Sequence, residues 1–143
     1  MFFQGAELTG GAVRIYTDNP KLAQWIRDEI PLDGTNPDST VTEATFSSRG
    51  DLSSTLTISV EAGADQLVCS WSDFMPAFAS VHAPVPEALG GHGHYAVYVS
   101  ARQMTVALNG VEAGGSPKPQ PFGEWQGTSA FVVLGETWMR PAR

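Results

Sequence analysis

The chain has 143 residues, of which 42% are hydrophobic and only 16% are charged, and its formal net charge is −7. A chain of this length can fold around one core without disulfides, so we predict a single domain over residues 1–143. The acidic balance comes without any cluster of Lys and Arg. It therefore counts against binding to phosphate backbones or anionic membranes, and we expect no nucleic-acid or membrane partner.

Cysteine usage and targeting signals indicate the compartment. Cys69 is the one cysteine, so the fold cannot depend on an intramolecular disulfide. The N-terminal sequence lacks the basic and apolar segments of a signal peptide, and no apolar run approaches roughly 18 residues. We therefore expect a cytoplasmic protein. Cys69 alternates with Leu67 and Trp71 on an apolar strand face, which predicts a buried and inert thiol.

The first part of the chain predicts a short strand followed by a helix. The strand is the segment AVRIYT, residues 12–17. Asn19 is a suitable N-cap, and Pro20 fits the first helical position, where its missing N–H has no partner to lose. Apolar residues then recur at helical spacing as far as Ile30, and Pro31 follows. We predict one long helix from Pro20 to Ile30.

From residue 41 onward the apolar pattern changes to period two, which predicts β-strands. The predicted strands cover residues 41–49, 53–61, 65–74, 94–101, 103–110 and 128–139. Asn109-Gly110 favours a tight hairpin because both residues tolerate positive φ. The tripeptide Arg49-Gly50-Asp51 matches an integrin-binding sequence, but we interpret it as a turn.

Two segments rich in Pro, Gly and Ala, 75–93 and 111–127, are predicted as long loops. The last strand is apolar enough that we expect it to be central and buried on both faces. Together these elements predict an α+β fold. Its core would be a curved antiparallel sheet of about 6–8 strands, barrel- or sandwich-like, with the helix packed against it.

The segment GGHGHY, residues 90–95, contains two histidines one residue apart. In an extended chain His92 and His94 lie on the same side, where both imidazoles could bind one divalent metal ion. His82 could be a third ligand, and Glu136 or Glu87 could add a carboxylate. The alternative is that the glycines flank a flexible loop and the histidines are solvated or hydrogen-bonded.

The His-x-His pattern of His92 and His94 resembles a metal-binding motif of the cupins. That resemblance implies a β-barrel and a metal-dependent activity. It covers three residues: this chain has Pro86 where the cupin motif has Gly, and Tyr98 and Val99 where it has Glu. The second cupin motif, which ends in a further His, has no counterpart here.

Other candidate site residues are carboxylates and one aromatic residue. Asp73 and Glu136 each fall on an apolar strand face, where a carboxylate must be paired, hydrogen-bonded or protonated. They either line a pocket or lie where a strand face meets water. Trp125 lies in the predicted loop 111–127 and either closes over a pocket or packs locally.

Three functional hypotheses follow. The favoured one is a small-molecule-binding or accessory protein without catalysis, whose pocket includes Trp125, Asp73, Glu136 and His94 and takes a small apolar or partly polar ligand. The second is an enzyme that uses either a divalent metal held by His92 and His94, with His82 as the third ligand, or metal-free acid–base chemistry. The acid–base residues would be His94, Asp73 and Glu136. The third is a subunit of a homo-oligomer, such as a homodimer, formed through an exposed sheet edge.

Overall fold

The computed structural model describes residues 2–4, 13–29, 39–82 and 92–139. The elements in chain order are β1 (Phe2–Gln4), β2 (Val13–Thr17), α1 (Pro20–Glu29), β3 (Thr40–Glu43), β4 (Thr45–Gly50), β5 (Thr55–Ala62), β6 (Asp65–Phe74), β7 (Phe78–His82), β8 (His92–Leu108), β9 (Val111–Glu112), β10 (Pro119–Phe122), β11 (Trp125–Thr128) and β12 (Phe131–Met139). The described chain is mostly antiparallel β-sheet, which confirms that part of the prediction.

The helix α1 begins where the sequence places an N-cap. The Leu22 N–H donates to the side-chain oxygen of Asn19 (3.1 Å), and the Ala23 N–H donates to the Asn19 carbonyl (3.0 Å). The predicted last residue, Ile30, lies outside the described residues. The α+β class is not confirmed, because ten helical residues do not form a layer comparable with the sheets. No helix in the described ranges is both long enough and apolar enough to cross a membrane.

The chain falls into two compact units. The first holds Met1–Asp51, Leu56–Ser70 and Thr105–Gly115, and the second holds Leu52–Thr55, Trp71–Met104 and Ser116–Arg143. The long strands β6 and β8 contribute residues to both units.

The first unit contains a three-stranded sheet in the order β1-β2-β3. β1 is antiparallel to β2, whereas β2 is parallel to β3, with Ile15 opposite Val41. A parallel neighbour needs a crossover, and α1 supplies it between the two strands. β4 pairs antiparallel with β5, with Phe46 opposite Val60. Within the described part of this unit, the largest fully buried side chains are Tyr16, Ile15, Leu67, Val60 and Cys69.

In the second unit, the N-terminal part of β8 lies between β7 and β12. Both neighbours are antiparallel to it, so Tyr98 is opposite Phe78 on one side and Val133 on the other. β10 and β11 form a separate two-stranded hairpin, with Phe122 opposite Trp125. Among the side chains that are described in this unit, the buried apolar ones are Trp71, Phe78, Ala96, Val99, Ala101 and Ala130.

Both predicted long loops contain strands. The 75–93 segment includes β7, which pairs with β8 after the break at Pro76. The 111–127 segment includes β9, β10 and most of β11. Pro119 and Pro121 can lie in a strand because β10 has only one hydrogen-bonded neighbour in the described sheet, so an unpaired side tolerates a missing N–H.

Two predictions about the long strands are wrong. The separate strands 94–101 and 103–110 are parts of one 17-residue strand, β8. The last strand, β12, is not central: it ends the strand order of its sheet and pairs with β8. Val133 and Leu134 on β12 are 42% and 51% exposed. The apolar character of β12 therefore does not mean burial on both faces.

Candidate functional site

The second unit contains an open cleft of about 500 Å³. The residues that form it come from three places in the sequence: Phe78 and Ala79 on β7, Tyr98 on β8, and Phe122, Glu124 and Trp125 on the β10–β11 hairpin. Four of these side chains are aromatic. The volume falls within the range of small-molecule sites, which are usually apolar with a few polar groups.

Parallel stacking organises the aromatic rings of the cleft. The ring of Phe78 is stacked on Tyr98 (centroids 5.2 Å apart, interplanar angle 7°) and on Trp125 (5.5 Å, 7°). Phe122 is tilted against Phe78 (5.5 Å) and meets Phe131 edge to face (5.3 Å, 84°). Phe78 is 8% exposed, whereas Trp125 is 54% exposed. The stack therefore leads from the core of the unit to solvent.

Hydrogen bonds at the base of the hairpin position Phe122 and Trp125. The Lys118 N–H donates to the Ser129 side chain (3.0 Å), and the Ser129 N–H donates to the Lys118 carbonyl (2.8 Å). The buried Thr128 hydroxyl donates to the Ala101 carbonyl on β8 (2.6 Å). These bonds connect both ends of the hairpin to each other and to β8, so the aromatic residues at its tip are held in place.

Gly127 allows the hairpin to approach β8 closely. It is buried, and a Cβ at this position would lie 2.4 Å from the Ser100 hydroxyl oxygen and 2.8 Å from Cε2 of Phe122. Real side chains do not approach so closely, so any larger residue must displace Ser100 or the Phe122 ring. The absence of a Cβ at Gly127 is therefore a requirement for the ring arrangement of the cleft.

Glu124 is the charged residue among those that line the cleft. It lies in the two-residue turn between β10 and β11, after Gly123, whose φ of 62° suits glycine. Aromatic faces carry partial negative charge, and a carboxylate beside them adds a full one. The cleft is therefore electrostatically suited to a cation and unsuited to an anion.

The predicted site residues do not all lie at this cleft. Trp125 does, but Asp73 does not line it. Instead, a carboxylate oxygen of Asp73 is 3.0 Å from a guanidinium nitrogen of Arg102, and both side chains are about half exposed (49% and 54%). Asp73 also has a φ of 54°, so the strand is irregular at this position. The Asp73 carboxylate therefore forms a surface ion pair with Arg102.

The three histidines are placed by the backbone of β7 and β8, while their side chains lie outside the described part of the structure. His82 is directly opposite His94. On the other side of β8, Thr137 is opposite His94 and Glu136 is opposite Tyr95. Glu136 is therefore one register position away from His94, which places it on the other face of the sheet. Glu87 is outside the described residues.

Among the side chains that are described, no three His, Cys, Asp or Glu residues are grouped closely enough to share a metal ion. Cys69 is 1% exposed, and burial raises the pKa of its thiol to about 12. The predicted burial of Cys69 is confirmed. A thiol with a raised pKa is protonated at neutral pH, so its lack of reactivity stays a prediction.

The first unit contains a polar cluster that the sequence analysis missed. The carboxylate of Asp65 accepts hydrogen bonds from the Tyr16 hydroxyl (2.8 Å) and from the Arg14 guanidinium. The bond from Tyr16, followed by the contacts with Arg14, lowers the pKa of Asp65 below its usual value. Arg14 and Tyr16 are two residues apart on β2 and so share a face, but nothing in the sequence indicates that Asp65 pairs with them.

The aromatic cleft is thus open to solvent, whereas the side chains of Arg14, Tyr16 and Asp65 hydrogen-bond to one another. Similarity to known proteins adds nothing to this geometry. Comparison of the chain with protein-family models, with curated proteins and with solved structures found no match.

Proposed function

We propose that the chain is a small-molecule-binding protein without catalysis of its own, and that the aromatic cleft is its binding site. The observation that carries the proposal is the position of Trp125, which is 54% exposed and yet stacked parallel on the buried ring of Phe78. A large aromatic surface left in water gains free energy when a ligand ring covers it. The hairpin bonds and Gly127 hold this surface in place before any ligand arrives.

The ligand class follows from the lining of the cleft. The rings of Phe78, Tyr98, Phe122 and Trp125 favour a flat apolar body. Glu124 and the negative ring faces favour a positive charge on that body, and the net charge of −7 acts in the same direction. We therefore propose a small ligand that combines an aromatic or apolar ring with an amine or quaternary ammonium group.

The proposal can be tested with three probes that share a phenyl ring and differ in charge: benzyltrimethylammonium, benzyl alcohol and benzoate. Binding is measured by isothermal titration calorimetry and by quenching of tryptophan fluorescence. We expect the cation to bind tightest and benzoate to bind weakest. A cation–π contribution of about 1–2 kcal/mol corresponds to a preference of about 5- to 30-fold over the neutral probe.

Two variants locate the binding in the cleft. Trp125→Ala should weaken the binding of all three probes, and Glu124→Gln should reduce the preference for the cation while leaving benzyl alcohol unchanged. Val111→Ala is a matched control, because Val111 is 59% exposed but lies in the first unit. Equal affinities for the three probes, or equal effects of Trp125→Ala and Val111→Ala, would refute the proposal.

The proposal also covers the curvature of the sheet and the location of the protein. We infer that the antiparallel sheet is curved in a barrel- or sandwich-like manner, and that the protein acts in the cytoplasm as a single domain. The irregular position at Asp73 within β6 supports curvature, because such irregularities bend a strand. Subcellular fractionation of the native cells tests the location, and a solution scattering profile tests the shape.

A second candidate function, a homodimer formed through β12, is supported by a separate observation. β12 ends the strand order of its sheet, and its Val133 and Leu134 are exposed. An edge strand with apolar side chains can add the same strand of a second copy. Light scattering over a range of protein concentrations should show a dimer, and Leu134→Lys should remove it. A monomer at all concentrations would refute this candidate.

A further inference from the structure

The backbone register brings all three histidines of the chain together. His82 on β7 is directly opposite His94 on β8, and His92 precedes His94 by two residues on the same strand. Opposite residues of an antiparallel pair share a face of the sheet, as do residues two apart on a strand. The three positions therefore lie on one face, although His82 is ten residues distant from His92 in the sequence.

The spacing of these positions suits one metal ion. Opposite residues have Cβ atoms about 4.5–5.5 Å apart, and a diagonal pair such as His82 and His92 is about 7–8 Å apart at Cα. Imidazole nitrogens about 2 Å from a shared zinc ion fit within that spread of backbone positions. The positions opposite His92 and His94 on β12 are Met139 and Thr137. The register thus adds no carboxylate from β12 to this face.

We propose that His82, His92 and His94 form a binding site for a divalent transition metal of the zinc class. Three neutral imidazoles and no thiolate favour zinc or cobalt over calcium or magnesium, and they leave the fourth position of a tetrahedral ion for water or a ligand. The site does not depend on the proposed function of the cleft. Tyr98 follows His94 by four residues, so the cleft begins about 13 Å along β8.

The test uses the full, untagged chain and cobalt(II) as the probe, because tetrahedral cobalt absorbs visible light. The three histidines are the only ones in the chain and Cys69 is buried, so histidine-dependent binding reports on this site alone. We expect one cobalt per chain, displaced by zinc. Each of His82→Ala, His92→Ala and His94→Ala should weaken binding at least about 100-fold, the upper end of what loss of an outer-shell partner costs.

Glu136→Gln is the matched control, since Glu136 lies one register position away from His94 and should leave the cobalt affinity unchanged. Circular dichroism checks that each variant folds, and His82→Gln replaces His82→Ala if that variant does not. The proposal is overturned if the folded wild-type chain binds no cobalt or zinc. It is also overturned if the His82 variant keeps the wild-type affinity, because the site would then not include both strands. Cleft binding measured with a chelator present separates failure of this site from failure of the proposed function.

Discussion

The polar cluster of the first unit and the aromatic stack of the second unit differ in how far their contacts are completed by other residues of the chain. In the first unit, the Asp65 carboxylate accepts bonds from Tyr16 and Arg14. In the second unit, the aromatic stack continues outward from Phe78 to the exposed ring of Trp125. A satisfied polar cluster stabilises a fold, whereas an ordered apolar surface in contact with water is available to a ligand. The contrast supports a structural role for the first cluster and the proposed binding role for the second.

The largest expected effect is a difference in stability between variants at Phe78 and Trp125, the two ends of the aromatic stack. Phe78→Ala should lower the free energy of unfolding by about 3–4 kcal/mol, because it removes a buried ring that contacts three other rings. Trp125→Ala should cost under about 1 kcal/mol, since that ring is half exposed. Urea unfolding measures both. Similar costs would mean that Trp125 is part of the core, and the binding role would lose its basis.

The next effect concerns the close approach of the hairpin to β8. Gly127→Ala should destabilise the chain by about 1–3 kcal/mol and weaken probe binding, because its Cβ would displace Ser100 or Phe122. Gly63→Asn is the control: nothing lies within 4 Å of a Cβ there, Asn tolerates the φ of 61°, and Gly63 does not line the cleft. Thermal unfolding measures the stability of both variants, and probe titration measures their binding. Unchanged probe binding in a folded Gly127→Ala variant would contradict the account.

A smaller effect is expected from the polar cluster, and it depends on pH. Asp65→Ala should lower stability by about 1 kcal/mol at neutral pH, a modest value because Asp65 and Arg14 are partly exposed. The pKa of Asp65 in the folded chain lies below its ordinary value of 3.8. Its contribution is therefore complete above that pH and is lost as the pH falls through the lowered pKa.

Urea unfolding of wild type and Asp65→Ala at neutral pH and near pH 3 tests this dependence. The difference between the two chains should shrink at the lower pH, and probe binding at neutral pH should be the same for both. A difference that grows on acidification would mean that the pKa of Asp65 is raised instead. Loss of probe binding would remove the contrast between the two clusters.

The smallest expected effect is at Cys69. Its raised pKa of about 12 and its burial predict no reaction with a thiol reagent at pH 8 in the native chain. The same reagent should react fully once the chain is unfolded in urea. Rapid labelling of the native chain would show that the strand β6 opens and would place a reactive group in the first unit.

Local signals in the sequence predicted the elements that depend on local chemistry. Asn109 and Gly110 have φ values of 52° and 78°, as the hairpin assignment requires. The strand at residues 65–74 has the predicted bounds, with Leu67, Cys69 and Trp71 buried. In these cases the local alternation and the turn residues are enough to predict the structure, because they determine the backbone without a distant partner.

Features that depend on distant partners could not be read in the same way. Strand order determines the parallel pairing of β2 with β3 and the edge position of β12, and the residue pattern of a single sequence does not show strand order. The β10–β11 hairpin was missed because its prolines indicate a loop. The sequence did single out Trp125, but its stacking on Phe78 joins residues 47 positions apart (125 − 78).

The most direct test of the central claim is nuclear magnetic resonance mapping of benzyltrimethylammonium on the ¹⁵N-labelled chain. We expect the largest shifts at the indole N–H of Trp125 and the backbone amides of Phe122, Glu124 and Phe78, with no shift at Tyr16 or Asp65. Saturable shifts in that pattern would establish the aromatic cleft as the binding site. Shifts centred elsewhere, or none at millimolar probe, would contradict it.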